Sequence, residues 1–393
     1  MKILLTGGGT GGHFYPIIAV AEAVQEEAKE RKILNPELFY MAPSRYNPRA
    51  LFDNEIEFIR VPAGKMRRYF DLRNFTDIFK TAYGIVSAIF SMFSTYPDVV
   101  FGKGGYASFP ALLAARLLRI PVIIHESDSK PGRVNAWAAK FAVRVAVSYP
   151  SAAEYFQKTL GQKALVKNKK DPNFGKSKIA YTGNPVRKEI LTPLSNGARE
   201  YLHLEEKLPI IFIIGGSQGS QFINDVVIDA VPELIKRYQI IHQTGRKNFQ
   251  DVSNVLQSIL KGNPDAARYK PLDYLNDLTM RMAAGASSIV VSRAGSSIFE
   301  IAAWAKPSII VPLNTAVSHD QTENAFSYAR SGACTVIEEH NMTSHILIAE
   351  IDKIMGNQAL QNKMIQGAKN FARTDSAREI ARVVLEVALQ HEM

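Results

Sequence analysis

Short, continuous apolar runs separated by longer amphipathic stretches dominate the chain. The first run is Lys2–Thr6, followed by Gly7-Gly8-Gly9-Thr10-Gly11-Gly12 and then by Ile17, Ala21 and Val24 at helical spacing. The same order recurs in the second half: Ile210–Ile214, then Gly215-Gly216-Ser217-Gln218-Gly219, then Phe222, Val226, Val227 and Ala230. Further runs at 98–101, 121–125 and 143–147, and at Gln239–Gln243, 288–291 and 307–311, read as buried parallel strands. Runs that do not alternate in polarity, with helices between them, predict sheets covered on both faces. The expected class is α/β, with two doubly wound, Rossmann-like parallel-sheet domains facing each other.

Length fits this reading. At roughly 150 residues per domain, 393 residues predict two domains or three. The boundary is expected near Gly183-Asn184-Pro185-Val186-Arg187, giving domains at 1–183 and 184–373. The basic stretch 163–178 before it, with Asp171-Pro172-Asn173 as a turn signal, reads as a solvated loop rather than a polyanion site. A last helix over 376–390 has no strand after it.

With 46% hydrophobic and 21% charged residues the chain can bury a core. Its one cysteine, Cys334, excludes a disulfide scaffold and any CxxC metal site, and suits a reducing cytoplasm. The apolar stretch 3–5 is too short for a signal peptide. The longest uncharged stretch, 81–97, is 17 residues and includes Thr81, Ser87, Ser91, Ser94 and Thr95. It falls short of the ~20 apolar residues of a spanning helix, so no transmembrane segment is expected. Net charge is +10, but residues 1–190 carry 28 basic against 16 acidic groups and the remainder 19 against 21. The first half therefore favours an anionic surface or polyanion and the second does not.

A glycine loop between a parallel strand and a helix offers free N–H groups and a helix N-terminus to phosphate. Gly7, Gly9 and Gly12 match GxGxxG formally, yet the next strand, 38–41, runs into Ala42-Pro43 without the acid a dinucleotide site uses. No Gly-Lys-Ser/Thr follows either loop, so an ATP-type P-loop is not expected. His13 stands in the first turn of the predicted helix, a position that favours the neutral imidazole a general base needs. His125-Glu126-Ser127-Asp128 closes another strand, at the edge where open α/β sheets place their sites. Glu126 and Asp128 could hold a metal, but Ser129-Lys130-Pro131 supplies no further ligand, and no metal is expected. In the second half Ser292-Arg293-Ala294-Gly295-Ser296-Ser297 reads as a second anion cradle, with Glu300 placed to accept ribose hydroxyls. The polar run His319-Asp320-Gln321-Thr322-Glu323-Asn324 suits sugar hydroxyls.

Taken together, GGGTGGH at 7–13, HE at 125–126 with Asn135, NPVR at 184–187, GGSQG at 215–219, SRAG with Glu300, and DQ at 320–321 resemble the MurG family of bacterial N-acetylglucosaminyltransferases over nearly the whole chain. The resemblance implies the GT-B architecture, with the active site between two Rossmann-like domains and a last helix, 374–393, returning to the first. It implies inverting transfer of GlcNAc from UDP-GlcNAc to the 4-hydroxyl of the N-acetylmuramoyl unit of lipid I, without a cofactor. It assigns donor contacts to Thr10, Gly11, Gly12, Asn135, Arg187, Ser217, Gln218, Ser296, Glu300 and Gln321, and acceptor contacts to Gly104, Gly105, Tyr106 and Glu126. Gly11 and Gly12 also fall to the acceptor's diphosphate side. His13 becomes the catalytic base, with Asp128 as the second candidate. Three positions depart from the family pattern: Asp128 replaces an asparagine, Asp320-Gln321 replaces a glutamine pair, and the loop from Arg293 to Glu300 is one residue shorter.

The lipid-linked acceptor gives the charge asymmetry a use, since it implies a peripheral enzyme on the cytoplasmic face of the membrane. Met66, Tyr69, Phe70 and Phe75 beside Arg67, Arg68 and Arg73 form the expected contact with anionic headgroups. In the helix that follows, much of the set Ile78, Phe79, Ile85, Ile89, Phe90 and Phe93 is expected to be core. The alternatives are another GT-B enzyme, such as a glycolipid synthase or UDP-sugar epimerase, or a non-enzymatic nucleotide or nucleic-acid binder. The usual interleaved basic and aromatic RNA-binding motifs are missing, so no nucleic-acid partner is expected.

Overall fold

The computed structural model describes every residue except 66–72, 167–172, 174, 217, 314–320 and 393, and only the backbone at 73, 74 and 392. Met66, Tyr69, Phe70, Arg67, Arg68, Ser217, His319 and Asp320 thus lie outside the described residues. The strands are β1 (Lys2–Thr6), β2 (Glu37–Ala42), β3 (Ile56–Arg60), β4 (Val99–Gly102), β5 (Val122–Glu126), β6 (Arg144–Val147), β7 (Ile179–Tyr181), β8 (Ile210–Ile214), β9 (Gln239–Gln243), β10 (Tyr269–Leu272), β11 (Ile289–Arg293), β12 (Ser308–Val311) and β13 (Cys334–Val336).

They form two wholly parallel sheets. The first runs β3-β2-β1-β4-β5-β6-β7 and the second β10-β9-β8-β11-β12-β13. Strands β1, β4, β5, β8, β9, β11 and β12 are buried along almost their whole length, as sheets covered on both faces require. In each sheet the order reverses once, between β1 and β4 and between β8 and β11. The loops leaving those strands diverge there, and open α/β sheets bind ligands in the resulting crevice.

The chain divides into one unit of Met1–Arg187 with Arg373–Met393 and another of Lys188–Ala372. The division falls four residues beyond Gly183 because Asn184 bonds back to Lys103 and Arg187 stacks on Tyr15. The last helix, Ser376–Glu392, belongs to the first unit. Its Ile380, Ala381, Val384, Leu385 and Ala388 share one core with Phe14, Ile17, Val20 and Val24 of the helix Gly11–Glu30. Glu27 of that helix, nearly fully buried, takes ion pairs from Arg378 and Arg382, the latter at 3.0 Å.

The helix Arg73–Thr95 corrects the sequence reading. Among its described residues Asp77, Gly84, Ala88 and Met92 are buried, and Ile85 and Ile89 are half-buried. Gly84 permits this close approach, since a Cβ there would lie 1.8 Å from the Pro62 carbonyl oxygen. Ile78, Phe79, Phe90 and Phe93, expected in the core, are 55–72% exposed, as are Phe75 and Tyr83 at 67%. Large apolar side chains are thus left uncovered on the outward face, unlike those of a helix whose apolar stripe is buried. By length and composition Phe75–Thr95 could cross a membrane. Its inward face, however, is packed, and Asp77 is buried and paired with Lys80 at 3.1 Å.

Candidate functional site

At the reversal of the first sheet the chain leaves β1 through Gly7, Gly8 and Gly9, all with positive φ. A side chain on Gly8 would lie 2.6 Å from the Tyr40 hydroxyl, which donates to the Gly7 carbonyl at 2.8 Å. Thr10 occupies the N-cap of Gly11–Glu30, but its hydroxyl makes no capping bond and lies 3.2 Å from His13 Nδ1. If Nδ1–H donates to that hydroxyl, the lone pair falls on Nε2, the form a general base requires. The turn after β4 meets this loop. A Cβ on Gly105 would lie 3.7 Å from the His13 ring, and one on Gly9 would lie 3.1 Å from the Tyr106 ring. Predicted residues Thr10, Gly11, Gly12, His13, Gly104, Gly105 and Tyr106 therefore gather at one point.

Beside them lies a residue the sequence reading missed. Lys103 follows β4 and is 1% exposed. Its Nζ lies 2.5 Å from His125 Nδ1 and donates to Ser127 Oγ at 2.6 Å and Asn184 Oδ1 at 2.7 Å. His125 Nε2 donates to the Gly183 carbonyl at 2.9 Å, so Nδ1 is the acceptor facing the lysine. Burial, and then the Lys103 charge, push His125 well below its ordinary range and keep it neutral. Burial pushes the Lys103 ammonium down to about 7, against the opposing pull of Glu126 and Asp128. The only sequence signal was a lysine set between a buried strand and two glycines.

Glu126 is committed to its own turn. Oε1 accepts the Asp128 N–H at 3.0 Å, while Oε2 accepts the Gly132 N–H at 2.9 Å and Asn135 Nδ2 at 3.0 Å. Burial, then the neighbouring Asp128 carboxylate, push it up to about 7. These bonds shape the segment that carries half-buried Asp128, so Glu126 presents that segment rather than reaching outward. Asn135 Nδ2 also donates to the His125 carbonyl at 3.0 Å. Asn135 Oδ1 is buried without a partner and lies against Gly104, where any Cβ would come within 2.8 Å of it. Gly104, at φ 82°, is thus required both by its backbone and by this contact. Arg187 lies in the first unit, its guanidinium 4.2 Å from the Tyr15 ring centroid.

The reversal of the second sheet repeats the plan. Gly219, at φ 76°, allows the loop after β8 to pass so close to Thr244 that a Cβ would lie 2.0 Å from its carbonyl oxygen. Ser220 then caps the helix Gln221–Leu234, accepting from the Ile223 N–H at 3.3 Å. Arg293, read as part of an anion cradle, turns inward and is 8% exposed. It donates to Ser220 Oγ at 2.6 Å and pairs with Glu339 at 2.5 Å, which ties the loop after β8 to the end of β11. Ser296 occupies the N-cap position of the helix Ser297–Ala303 without a side-chain capping bond, and the helix carries half-buried Glu300. Gln321 Oε1 accepts the Leu313 N–H at 3.2 Å, and a Cβ on Gly295 would lie 3.7 Å from its Nε2. Gln218, Ser296, Glu300 and Gln321 thus belong to loops and helix starts at one sheet edge. Each unit by itself presents glycine loops and helix N-termini suited to a phosphate-bearing ligand.

The glycosyltransferase family 28 N-terminal domain matches residues 3–147, and the family 28 C-terminal domain matches 210–380. A protein of Treponema denticola named UDP-N-acetylglucosamine--N-acetylmuramyl-(pentapeptide) pyrophosphoryl-undecaprenol N-acetylglucosamine transferase is 35% identical, over 96% of both chains. One of the same name from Clostridium kluyveri is 36% identical, over 94% of this chain and 97% of its own. Among solved structures, Acinetobacter baumannii MurG superposes with a TM-score of 0.67 at 24% identity, covering 98% of this chain and 99% of its own. A putative UDP-N-acetylglucosamine 2-epimerase of Listeria monocytogenes gives 0.71 at 15% identity, over 98% of this chain and 96% of its own. At such identities these two structures speak for the shared two-sheet fold alone.

Proposed function

The chain belongs to glycosyltransferase family 28 and, within it, to the MurG transferases, and from that premise we propose that it transfers GlcNAc from UDP-GlcNAc to the 4-hydroxyl of the N-acetylmuramoyl unit of undecaprenyl-linked lipid I, with inversion, forming lipid II for peptidoglycan. The full-length similarity to transferases of that name carries the reading. In it the second unit holds the donor: the loop after β8 and Gln218 at the diphosphate, Ser296 beside it, Glu300 on the ribose and Gln321 on the sugar. The first unit holds the acceptor at Gly104, Gly105 and Tyr106. His13 Nε2 removes the proton as the 4-hydroxyl attacks the anomeric carbon in line. The bond from that carbon to the β-phosphate oxygen breaks, and UDP leaves with the electron pair. Backbone N–H groups and helix N-termini stabilise the departing anion. The test is UDP release from UDP-GlcNAc with a lipid I analogue, with diacylglycerol, and with no acceptor. Release with the first alone supports transfer to lipid I. Release with diacylglycerol points to a glycolipid synthase, and sugar isomerisation without acceptor points to an epimerase.

Leaving-group stabilisation by fixed dipoles requires no ion, and both Glu126 oxygens are already engaged. Turnover is therefore expected to survive EDTA. Loss of activity restored by Mg²⁺ or Mn²⁺ would bring Glu126 and Asp128 back as metal ligands.

The first unit is also the part that meets the membrane in this reading, on the cytoplasmic face. Phe75, Ile78, Phe79, Tyr83, Val86, Phe90 and Phe93 line the outward face of Arg73–Thr95, each at least 51% exposed. A contiguous apolar face of this kind marks an interaction surface. An acceptor whose lipid tail stays in the bilayer gives that surface an occupant, and the basic excess of residues 1–190 adds attraction to anionic lipid. Phe79→Glu with Phe90→Glu should weaken binding to anionic vesicles by at least about tenfold, since burying a Phe contributes ~2 kcal/mol. Turnover of a short-chain soluble acceptor should stay within about twofold of the parent. Equal losses on both acceptors would place the docking surface elsewhere.

A further inference from the structure

Lys103 takes no part in the proton transfer or in the leaving-group chemistry, yet it is the most deeply buried cation of the first unit's site. Its three contacts come from two separate stretches of chain: His125 in β5 with Ser127 in the turn directly after it, and Asn184 in the segment leaving the sheet. Lys103 itself begins the Gly104-Gly105 turn. The Gly183 carbonyl next to Asn184 accepts from both His125 Nε2 and Ser376 Oγ, each at 2.9 Å, so the start of the last helix joins the same network. We propose that Lys103 is a positioning residue for acceptor binding, its ammonium holding the 127–132 turn and the Gly183-Asn184 crossing in register with the Gly104-Gly105 turn. The inference rests on the reading that these turns hold the acceptor.

The chemistry of the head group supports it. Three acceptors require three N–H hydrogens, and among the states of lysine only the ammonium has them. The neutral amine has two and must release or reverse one contact. The groups facing this nitrogen are Glu126 and Asp128, which favour the ammonium, and the imidazole of His125. His13, from the helix after β1, acts electrostatically on His125. Since burial brings the folded pKa to about 7, the holding state is lost as pH rises past neutrality.

The test compares the parent enzyme, Lys103→Met and Ser127→Ala, using UDP-GlcNAc and a water-soluble lipid I analogue between about pH 6 and 9. In Lys103→Met, kcat/KM for the acceptor should fall at least about thirtyfold while the donor KM stays within about twofold. The parent should lose acceptor kcat/KM above about pH 7, and this limb should be absent from the variant. Ser127→Ala, which keeps the charge and removes one contact, should lose about three- to tenfold on the same parameter. Backbone hydrogen exchange in Lys103→Met should quicken at 104–106, 127–132 and 183–185 and nowhere else in the unit. Unchanged acceptor kcat/KM and pH limb, or quickening spread over the whole unit, would overturn the proposal. If Lys103→Met does not fold, Ser127→Ala decides, and parental kinetics in it are the overturning result. If the parent transfers no sugar, the functional reading fails, and the exchange pattern still judges Lys103.

Discussion

With His13 replaced by alanine, kcat should fall by about 10²–10⁴, the range typical of losing a general base, while KM for UDP-GlcNAc stays within about twofold. The imidazole stands in the first turn of Gly11–Glu30, oriented by Thr10 at 3.2 Å and backed by the Gly105 turn. Its removal deletes no donor contact, so the loss belongs in kcat. Asp128→Asn is the necessary companion. The aspartate is half-buried and presented by the Glu126 turn, which makes it the second candidate for the base. If His13→Ala keeps activity within a few-fold and Asp128→Asn abolishes it, the base is Asp128.

Arg293→Met should be the most damaging single change in the second unit. The guanidinium joins Ser220 at the start of Gln221–Leu234, Glu339, and more weakly the carbonyls of Val311 and Pro312. A thioether of similar length leaves the Glu339 carboxylate without its partner, and breaking a pair this buried costs about 3 kcal/mol. Chemical denaturation of the unit should show that loss, with a raised KM for UDP-GlcNAc as the loop after β8 loses its tie. The double variant Arg293→Met with Glu339→Gln should recover part of it, because no charge is then left stranded. A loss under about 1 kcal/mol would mean that solvent replaces the arginine and that the bridge is not what holds the loop.

Arg293 and Lys103, both buried, mark where the sequence stops being legible. Strands at the middle of each sheet announced themselves, since two covered faces demand unbroken apolar runs such as Ile210–Ile214. The four edge strands did not. β3 and β7 alternate with solvent, β10 contains Pro271, and β13 has three residues, so none carries a continuous run. The glycine loops and their following helices were readable because φ > 0 and phosphate access both select glycine. What a charged side chain does at the end of such a strand was not readable. Arg293 and Lys103 both follow buried apolar stretches, and only packing shows that both turn inward to hold loops together. For Arg73–Thr95 the periodicity was plain, but it reports that a helix has an apolar face and not what covers that face. Asp77, Gly84, Ala88 and Met92 form the buried stripe, and a charge, a glycine and an alanine in it carry little apolar signal beside the phenylalanines.

The most direct measurement is the structure of the product. Incubated with UDP-GlcNAc and a lipid I analogue, the enzyme should yield one disaccharide-lipid for each UDP released. NMR of that product should show a β-linkage from GlcNAc to the 4-hydroxyl of the N-acetylmuramoyl unit, the outcome of inversion at an α-linked donor. An α-linkage, attachment at another hydroxyl, or consumption of UDP-GlcNAc without any disaccharide would contradict it.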